Sequence, residues 1–492
     1  MLRPQLINPH MRRESLSRLS FALVCAAAAF LSTGCTVGPN YVRPTAEVPT
    51  AYKELPPDWK PAQPSDAIAK GKWWEIYQDP QLNSLEEQID VSNQTLKAAQ
   101  EQFAQARAEL RITRSSLFPN VTGGYSASRT HLSQNQPLFN ATTEGKDYNT
   151  YTIPVDVSYE ADLWGRVRRT VEASRSEAQA TAADLANVNL SLHAELATDY
   201  FLLRGLDAQK QLLDSTVESY EKALELTENR YHGGLASAVD VAQAQTILET
   251  TRAQSVDVEV QRAAFEHAIA VLIGKPAAEF SIAPIPLSAP PPVVPSGLPS
   301  DLLERRPDIS AAERRVQEQN AEIGVARAAY FPLVTLSGAG GFESAVASTL
   351  VQGPSGFWML GGQAAETLFD AGRRRGVSEQ AKSAWNQSVD NYRQTVLTAF
   401  QEVEDNLAAL RILRDEADTQ AGAVAAAQHS LSLSITRYKG GVTNYLEVTT
   451  AQSAALSDEV TAVSILTRRM AASVLLIKAI GGGWNVSQIP HV

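Results

Sequence analysis

Two motifs occur twice in this chain, in the same order. Arg114-Ser-Ser-Leu-Phe118-Pro119-Asn-Val121-Thr122 returns as Arg327-Ala-Ala-Tyr-Phe331-Pro332-Leu-Val334-Thr335, and Arg230-Tyr231-His-Gly233-Gly234 returns as Arg437-Tyr438-Lys-Gly440-Gly441. The offsets are 213 and 207 residues, far longer than a solenoid repeat. Each copy is therefore a structural half, and the chain reads as a duplicated protomer built around pseudo-symmetry.

The N-terminus says where this pair of halves goes. Arg12, Arg13 and Arg18 precede an uncharged run from Leu19 to Leu31, the pattern of a secretory leader and too short for a membrane span. Translation starts at either Met1 or Met11. The run ends in Leu31-Ser-Thr-Gly34-Cys35. Small residues before a cysteine resemble a bacterial lipoprotein cleavage site, with residues 1–34 removed and Cys35 acylated; the plainer alternative is an ordinary leader with an incidental cysteine. Several acyl chains anchor durably where one alone is marginal. Thr36 follows, where an aspartate would favour inner-membrane retention, so the outer membrane is expected.

Removing residues 1–34 takes away four arginines and one glutamate and moves the formal charge from −11 to −14. An acidic chain lacks the basic footprint of nucleic-acid binding. Cys25 lies in the leader, so no intramolecular disulfide is available. No later stretch supplies about 18 consecutive apolar residues, so any membrane crossing is expected by strands.

Residues 35–81 are rich in proline and carry Trp59, Trp73 and Trp74. They read as an extended segment packed on a surface; the tryptophan pair as a sugar platform is the alternative. Residues 82–117 are helix-forming until Phe118-Pro119 stops them. Then Tyr151, Ile153, Val155, Val157, Tyr159, Ala161 and Leu163 alternate with Thr152, Pro154, Asp156, Ser158, Glu160 and Asp162. Period two gives one apolar and one wet face, which in a secreted, anchored chain fits a transmembrane barrel with an acidic lumen. Pro154 sits awkwardly in an interior strand. Residues 132–147 read as the loop between two strands, and the second half repeats the plan near 332–345 and 356–369.

Each strand pair is followed by a helical stretch, Arg166 to His232 and Arg373 to Lys439, roughly 100 Å long at 1.5 Å per residue. Leu196, Leu203, Lys210, Val217, Leu224 and Tyr231 recur every seven residues, and Val403, Leu410, Ala417, Val424, Leu431 and Tyr438 repeat the phase. A 3.5-residue repeat implies left-handed coiled-coil packing. Both stretches turn at Gly-Gly and return near Ser237 to Ile273 and Asn444 to Ile480, giving two helical hairpins. A proline-rich linker, residues 284–299, joins a first repeat (82–283) to a second (300–483), and residues 484–492 form a tail. After the linker, Asp308 is expected to cap a helix whose first turns Glu313 supports.

These motifs resemble the TolC-like outer-membrane efflux channels, in the NodT-type lipoprotein branch that serves resistance-nodulation-division pumps. Gly34-Cys35-Thr-Val-Gly-Pro-Asn-Tyr41, Lys72-Trp73-Trp74, Leu303-Glu-Arg-Arg-Pro-Asp308, both Phe-Pro strand starts and both Arg-Tyr-x-Gly-Gly turns carry the likeness. It implies an α+β membrane protein: a homotrimer whose protomers give four strands each to a 12-stranded β-barrel, continued by a periplasmic α-helical coiled-coil barrel. It also implies passive export of small molecules such as drugs, an inner-membrane pump, and a periplasmic adaptor at the hairpin turns, Arg230, Gly233, Gly234, Arg437, Gly440 and Gly441.

The resemblance places a gate near those turns, at Tyr231, Asp240, Tyr438 and Glu447, so that a trimer carries two rings of three carboxylates. Such rings favour cations; solvated helix-start residues are the alternative. Where the family often has a second aspartate and then, in one branch, an arginine, this chain has Gln243 and Thr450, then Thr246 and Ser453. No catalytic residue, metal ligand or cofactor is expected, since the seven histidines lack ligand spacing and no nucleophile or phosphate motif occurs. A periplasmic adaptor lipoprotein, or the same channel serving metal-ion efflux or type I secretion, are the other readings; adaptors have one hairpin, this chain two.

Overall fold

A computed structural model describes residues 36–54, 71–133, 147–294 and 301–490. The leader, Cys35, Trp59, most of the loop 132–147 and the linker's end at 295–299 lie outside the described residues.

The two long helices form as the heptads require: α3 is Arg166–His232 and α6 is Arg373–Lys439, 67 residues each. The return helices are α4, Ala238–Leu272, and α7, Tyr445–Ala479. Hairpin α3/α4 lies beside hairpin α6/α7, with α3 against α7. Leu196, Leu203 and Val403 are fully buried as the heptad demands, and Lys210 escapes it by pairing with Asp214 and Glu259. Tyr231 departs from the seam and is exposed. Among the described residues α7 alone has the length and apolarity of a membrane span. Its buried positions Val448, Ile465, Met470, Val474 and Ile477 pack within the bundle.

The single helix expected over 82–117 is two helices, α1 Pro80–Ser92 and α2 Gln94–Ser115. Asn93 causes the break. Its extended backbone (ψ 125°) ends α1, its Oδ1 accepts Leu96 N–H at 2.8 Å to start α2, and its Nδ2 donates to Leu272 O at 2.7 Å where α4 ends. One side chain thus satisfies groups orphaned at two helix ends.

The N-terminal segment is extended over residues 36–54 and runs from the sheet end of the bundle to its middle. Val37 N–H bonds Trp164 O at 3.0 Å, Tyr41 donates to Glu313 at 3.1 Å, and the N–H groups of Lys53 and Glu54 bond Glu404 at 2.8 and 3.0 Å. Residues Trp73–Tyr77 instead form a 3-10 turn. Trp73 and Trp74 are buried in the main core with Leu82, Tyr200, Tyr392 and Ile477, docked on the body and closed to sugars.

In the second half, α5 spans Pro307–Ala328. Its N-cap is Arg306, and Asp308 lies inside the first turn, where it pairs with Arg306 at 2.6 Å. Pro307 at the first helical position shifts the start by two residues relative to an aspartate cap. Glu313 reaches the N-terminal segment, holding Tyr41 and Arg43.

The strands are β1 Asn120–Gly123, β2 Ser126–His131, β3 Asp147–Glu160, β4 Leu333–Ser344 and β5 Gly356–Ala365, all antiparallel. β1 and β2 share one register along β3, so they are one strand interrupted opposite Pro154. Gly124 N–H still bonds Pro154 O at 3.1 Å, but proline has no N–H to return the bond, and the ladder breaks there. Four strands result, in the order β1/β2, β3, β4, β5, with β1/β2 and β5 at open edges. The register puts Val121, Ile153, Val155, Val157, Tyr159, Leu336, Phe342, Trp358 and Leu360 on one face and Thr152, Asp156, Ser158, Glu160, Thr335, Ser337, Glu343 and Gln363 on the other. The alternation read in β3 carries into β4, but Leu333, Phe357 and Met359 fall on the polar face and Arg129 and His131 on the apolar one.

Candidate functional site at the hairpin tips

Both hairpins turn through the same backbone device. Gly234 and Gly441 have φ +73° and +70°, a conformation that glycine adopts without steric cost. Gly233 and Gly440 have ordinary negative φ. Only the second glycine of each pair is conformationally required.

Beyond the turns the two copies diverge. Ser237 and Asp240 form a capping box at the start of α4: Asp240 Oδ2 accepts Ser237 N–H at 2.8 Å, and Ser237 Oγ accepts Asp240 N–H at 3.2 Å. At the start of α7, the Asn444 side chain makes no capping bond. Asp240 supplies it from the other hairpin, its Oδ1 accepting Tyr445 N–H at 3.1 Å. One carboxylate caps two helices.

Asp240 is only 9% exposed. Burial opposes its charge, but N–H groups of Ser237 and Tyr445, the Ser237 hydroxyl and the Arg230 guanidinium outweigh that, holding the carboxyl below the usual aspartate range. Glu447, its counterpart, stays within its own hairpin. It accepts from Thr443 Oγ1 at 2.6 Å and pairs with Arg437 at 3.0 Å.

The tyrosines diverge as well. Tyr438 is 4% exposed and Tyr231 45%. Arg230 reaches across, donating to Lys439 O at 3.0 Å with its guanidinium 4.9 Å from the centre of the Tyr438 ring. Tyr438 meets Tyr445 edge to face at 5.1 Å, over Ala244 and Val448. Burial pushes the Tyr445 hydroxyl up to about 12. Tyr220 donates to Gln452 O at 3.1 Å, a further cross-hairpin bond.

The structure therefore brings Arg230, Asp240 and Tyr438 into one clasp and leaves Tyr231 and Glu447 outside it. Sequence reasoning missed Tyr445, Tyr220 and Gln452; for Tyr445 the sequence carries no signal, because Asn444 is a favoured N-cap residue and only the fold shows its side chain unused as a cap. Gln243, Thr246, Thr450 and Ser453 line one groove between α4 and α7 that contains no charged side chain. Among the described residues no cluster of His, Cys, Asp or Glu is suited to a metal ion.

Comparison with known proteins matches this architecture throughout. The chain is 34% identical to the probable efflux pump outer membrane protein SepC of Pseudomonas putida, over 96% of this chain and 98% of that one. It is 31% identical to outer membrane protein OprJ of Pseudomonas aeruginosa, over 95% and 96%. Among solved structures, the outer-membrane channel OprN superimposes with TM-score 0.85 at 30% identity, covering 92% of this chain and all of that one. The CmeC outer membrane channel of Campylobacter jejuni gives 0.86 at 28%, over 92% and 96%. The sequence pattern of outer membrane efflux proteins matches residues 85–275 and 298–482. The chain belongs to the outer membrane efflux protein family, as the outer-membrane channel component of an efflux pump.

Proposed function

We propose that three copies close into one duct through which small molecules are exported passively. The observation that carries this is the four-stranded sheet with two open edges. An open edge has no hydrogen-bond partner in hydrocarbon, so strands spanning a bilayer must close. Pairing β5 of one copy with β1/β2 of the next gives twelve strands, the apolar face toward lipid and the face bearing Asp156, Glu160 and Glu343 toward the lumen. The helical hairpins, two per copy, continue the duct into the periplasm.

Cys35 is proposed as the acylated residue that adds a lipid anchor. In support, Val37 is tied to Trp164 at the junction of sheet and helix, and the Trp164 ring stacks on Phe331 at 4.7 Å, the aromatic signature of a membrane interface. The described chain thus begins at the sheet end of the bundle, which supports an anchor at Cys35.

The hairpin tips, with Arg230, Gly233, Gly234, Arg437, Gly440 and Gly441, are the proposed seat of a periplasmic adaptor, and a proton-driven inner-membrane pump supplies the energy. Tyr231, Asp240, Tyr438 and Glu447 mark the resting closure, in which Asp240 and Tyr438 hold the two hairpins of a copy together, and Glu447 and Tyr231 are the members left accessible. Relatives are named for efflux of toluene, solvents and antibiotics; small apolar and drug-like molecules are proposed as cargo here.

Negative-stain electron microscopy of the detergent-purified protein, with mass determination, tests the assembly. A threefold tapered tube about 140 Å long, from roughly 100 Å of helix and some 30 to 40 Å of barrel, is expected. A monomeric or compact particle overturns it.

A further inference from the structure

Far from the tips, α1 is fastened to α3 by two buried ionisable side chains. Glu86 is 0% and His193 2% exposed, and His193 Nδ1 lies 2.7 Å from Glu86 Oε2. The imidazole lies flat on Trp74, centroids 4.4 Å apart and planes 15° apart. Its other nitrogen faces Asp90 Oδ1 at 3.4 Å, and Asn189 donates to that same oxygen at 3.1 Å. The second oxygen of Glu86 is buried without a partner among the described residues. His193 is therefore the only hydrogen-bond partner of the Glu86 carboxyl among the described residues, an arrangement that desolvation makes costly unless the pair stays intact.

The surroundings offer little else to titrate. Asp90, on α1, is the nearest other charge, and Lys72 beyond it pairs with Glu87. The cleft beside His193 brings Gln100 from α2, Asn189 from α3 and Gln488 from the C-terminal tail, all neutral. From α4 and α7 come the apolar side chains of Ile269, Leu272, Leu476 and Ile477.

We infer that the Glu86–His193 pair is a proton-linked clip that seats α1 on α3 more firmly in acid than in alkali. In the seated state burial pushes the Glu86 carboxyl up to about 7, against the hydrogen bond and charge of His193, with Asp90 adding repulsion. When α1 lifts, Glu86 returns to water and to an ordinary value of 4.5. Between those values the seated form holds more protons than the lifted one, so seating strengthens as pH falls from 7 and levels off below 4.5. The proton goes to the Glu86 carboxylate, and no other bond changes. At tenfold per unit, the effect on seating is on the order of 100-fold.

Hydrogen exchange of the full-length protein in detergent, read by mass spectrometry on peptides covering 80–92 and normalised for intrinsic exchange, tests this from about pH 4.5 to 8.5. In the wild type, protection should fall as pH rises from about 4.5 and level off above about 7, while peptides from α5 stay level. Glu86→Gln should flatten the profile, because an amide does not titrate, and Glu86→Asp should keep a sloping one. A level wild-type profile, or a slope that survives Glu86→Gln, overturns the clip. Should Glu86→Gln fail to fold, Asp90→Asn, at a half-exposed position, removes the repulsion and should move the upper end of the slope to lower pH; an unmoved upper end assigns the titration elsewhere and also overturns it.

Discussion

The carboxylate of Asp240, in the first hairpin, accepts the N–H of Tyr445, the first residue of the return helix in the second, at 3.1 Å. The pseudo-equivalent Glu447 has no reciprocal bond to the first hairpin; its partners are Thr443, Ser434 and Arg437. Duplication gave two similar tips, and the contact between them is one-sided.

Asp240→Ala should therefore loosen the resting tip more than Glu447→Ala. The first removes caps from two helices, at about 1 kcal/mol each; the second removes a partly exposed ion pair worth about 0.5 kcal/mol. Single-channel recording in planar bilayers should show more frequent or longer opening, or altered cation preference, in Asp240→Ala. Wild-type conductance and selectivity in both single variants and the double would remove these residues from the closure.

Acid should release the same clasp late. The Asp240 carboxyl is held below its ordinary value of 3.8, so its contribution is fully present above that value and is lost as pH falls below it. Protection of the tip peptides against hydrogen exchange should hold from neutrality to about pH 4 and fall only below. A loss centred near pH 6 would assign closure to a different group.

The turn glycines should separate cleanly. Gly234→Ala and Gly441→Ala force a side chain into positive φ at about 1 kcal/mol each, whereas Gly233→Ala and Gly440→Ala, at ordinary φ, should be near neutral. Limited proteolysis at the tips and adaptor pull-down should distinguish the pairs; equal behaviour of all four variants would contradict the turn geometry.

The hairpins also approach closely at Gly205. A Cβ there would lie 2.2 Å from Thr467 Oγ1 and 2.6 Å from its Cγ2, so Gly205→Ala should destabilise the α3/α7 crossing by about 1–3 kcal/mol. Thr467→Ala in the same chain should restore part of the loss. Thermal denaturation of the two variants reads this, and additive losses in the double variant would place the strain elsewhere.

Much of this was open to reading in one dimension. Heptads fix helix faces locally and glycines mark their ends, so Arg166–His232 and Arg373–Lys439 are legible residue by residue. Period two does the same for β3, and composition shows the absence of a basic footprint. What the sequence determined, then, is the inventory: two halves, two hairpins and four strands. The tertiary structure decided which copy of each repeated residue does what. Tyr438 is buried and Tyr231 exposed, Asp240 crosses and Glu447 does not, Asn93 splits a helix by serving a third one, and His193 finds Glu86 more than a hundred residues away. Those outcomes depend on desolvation and on hydrogen bonds between segments distant in the chain, and neither leaves a period in the sequence.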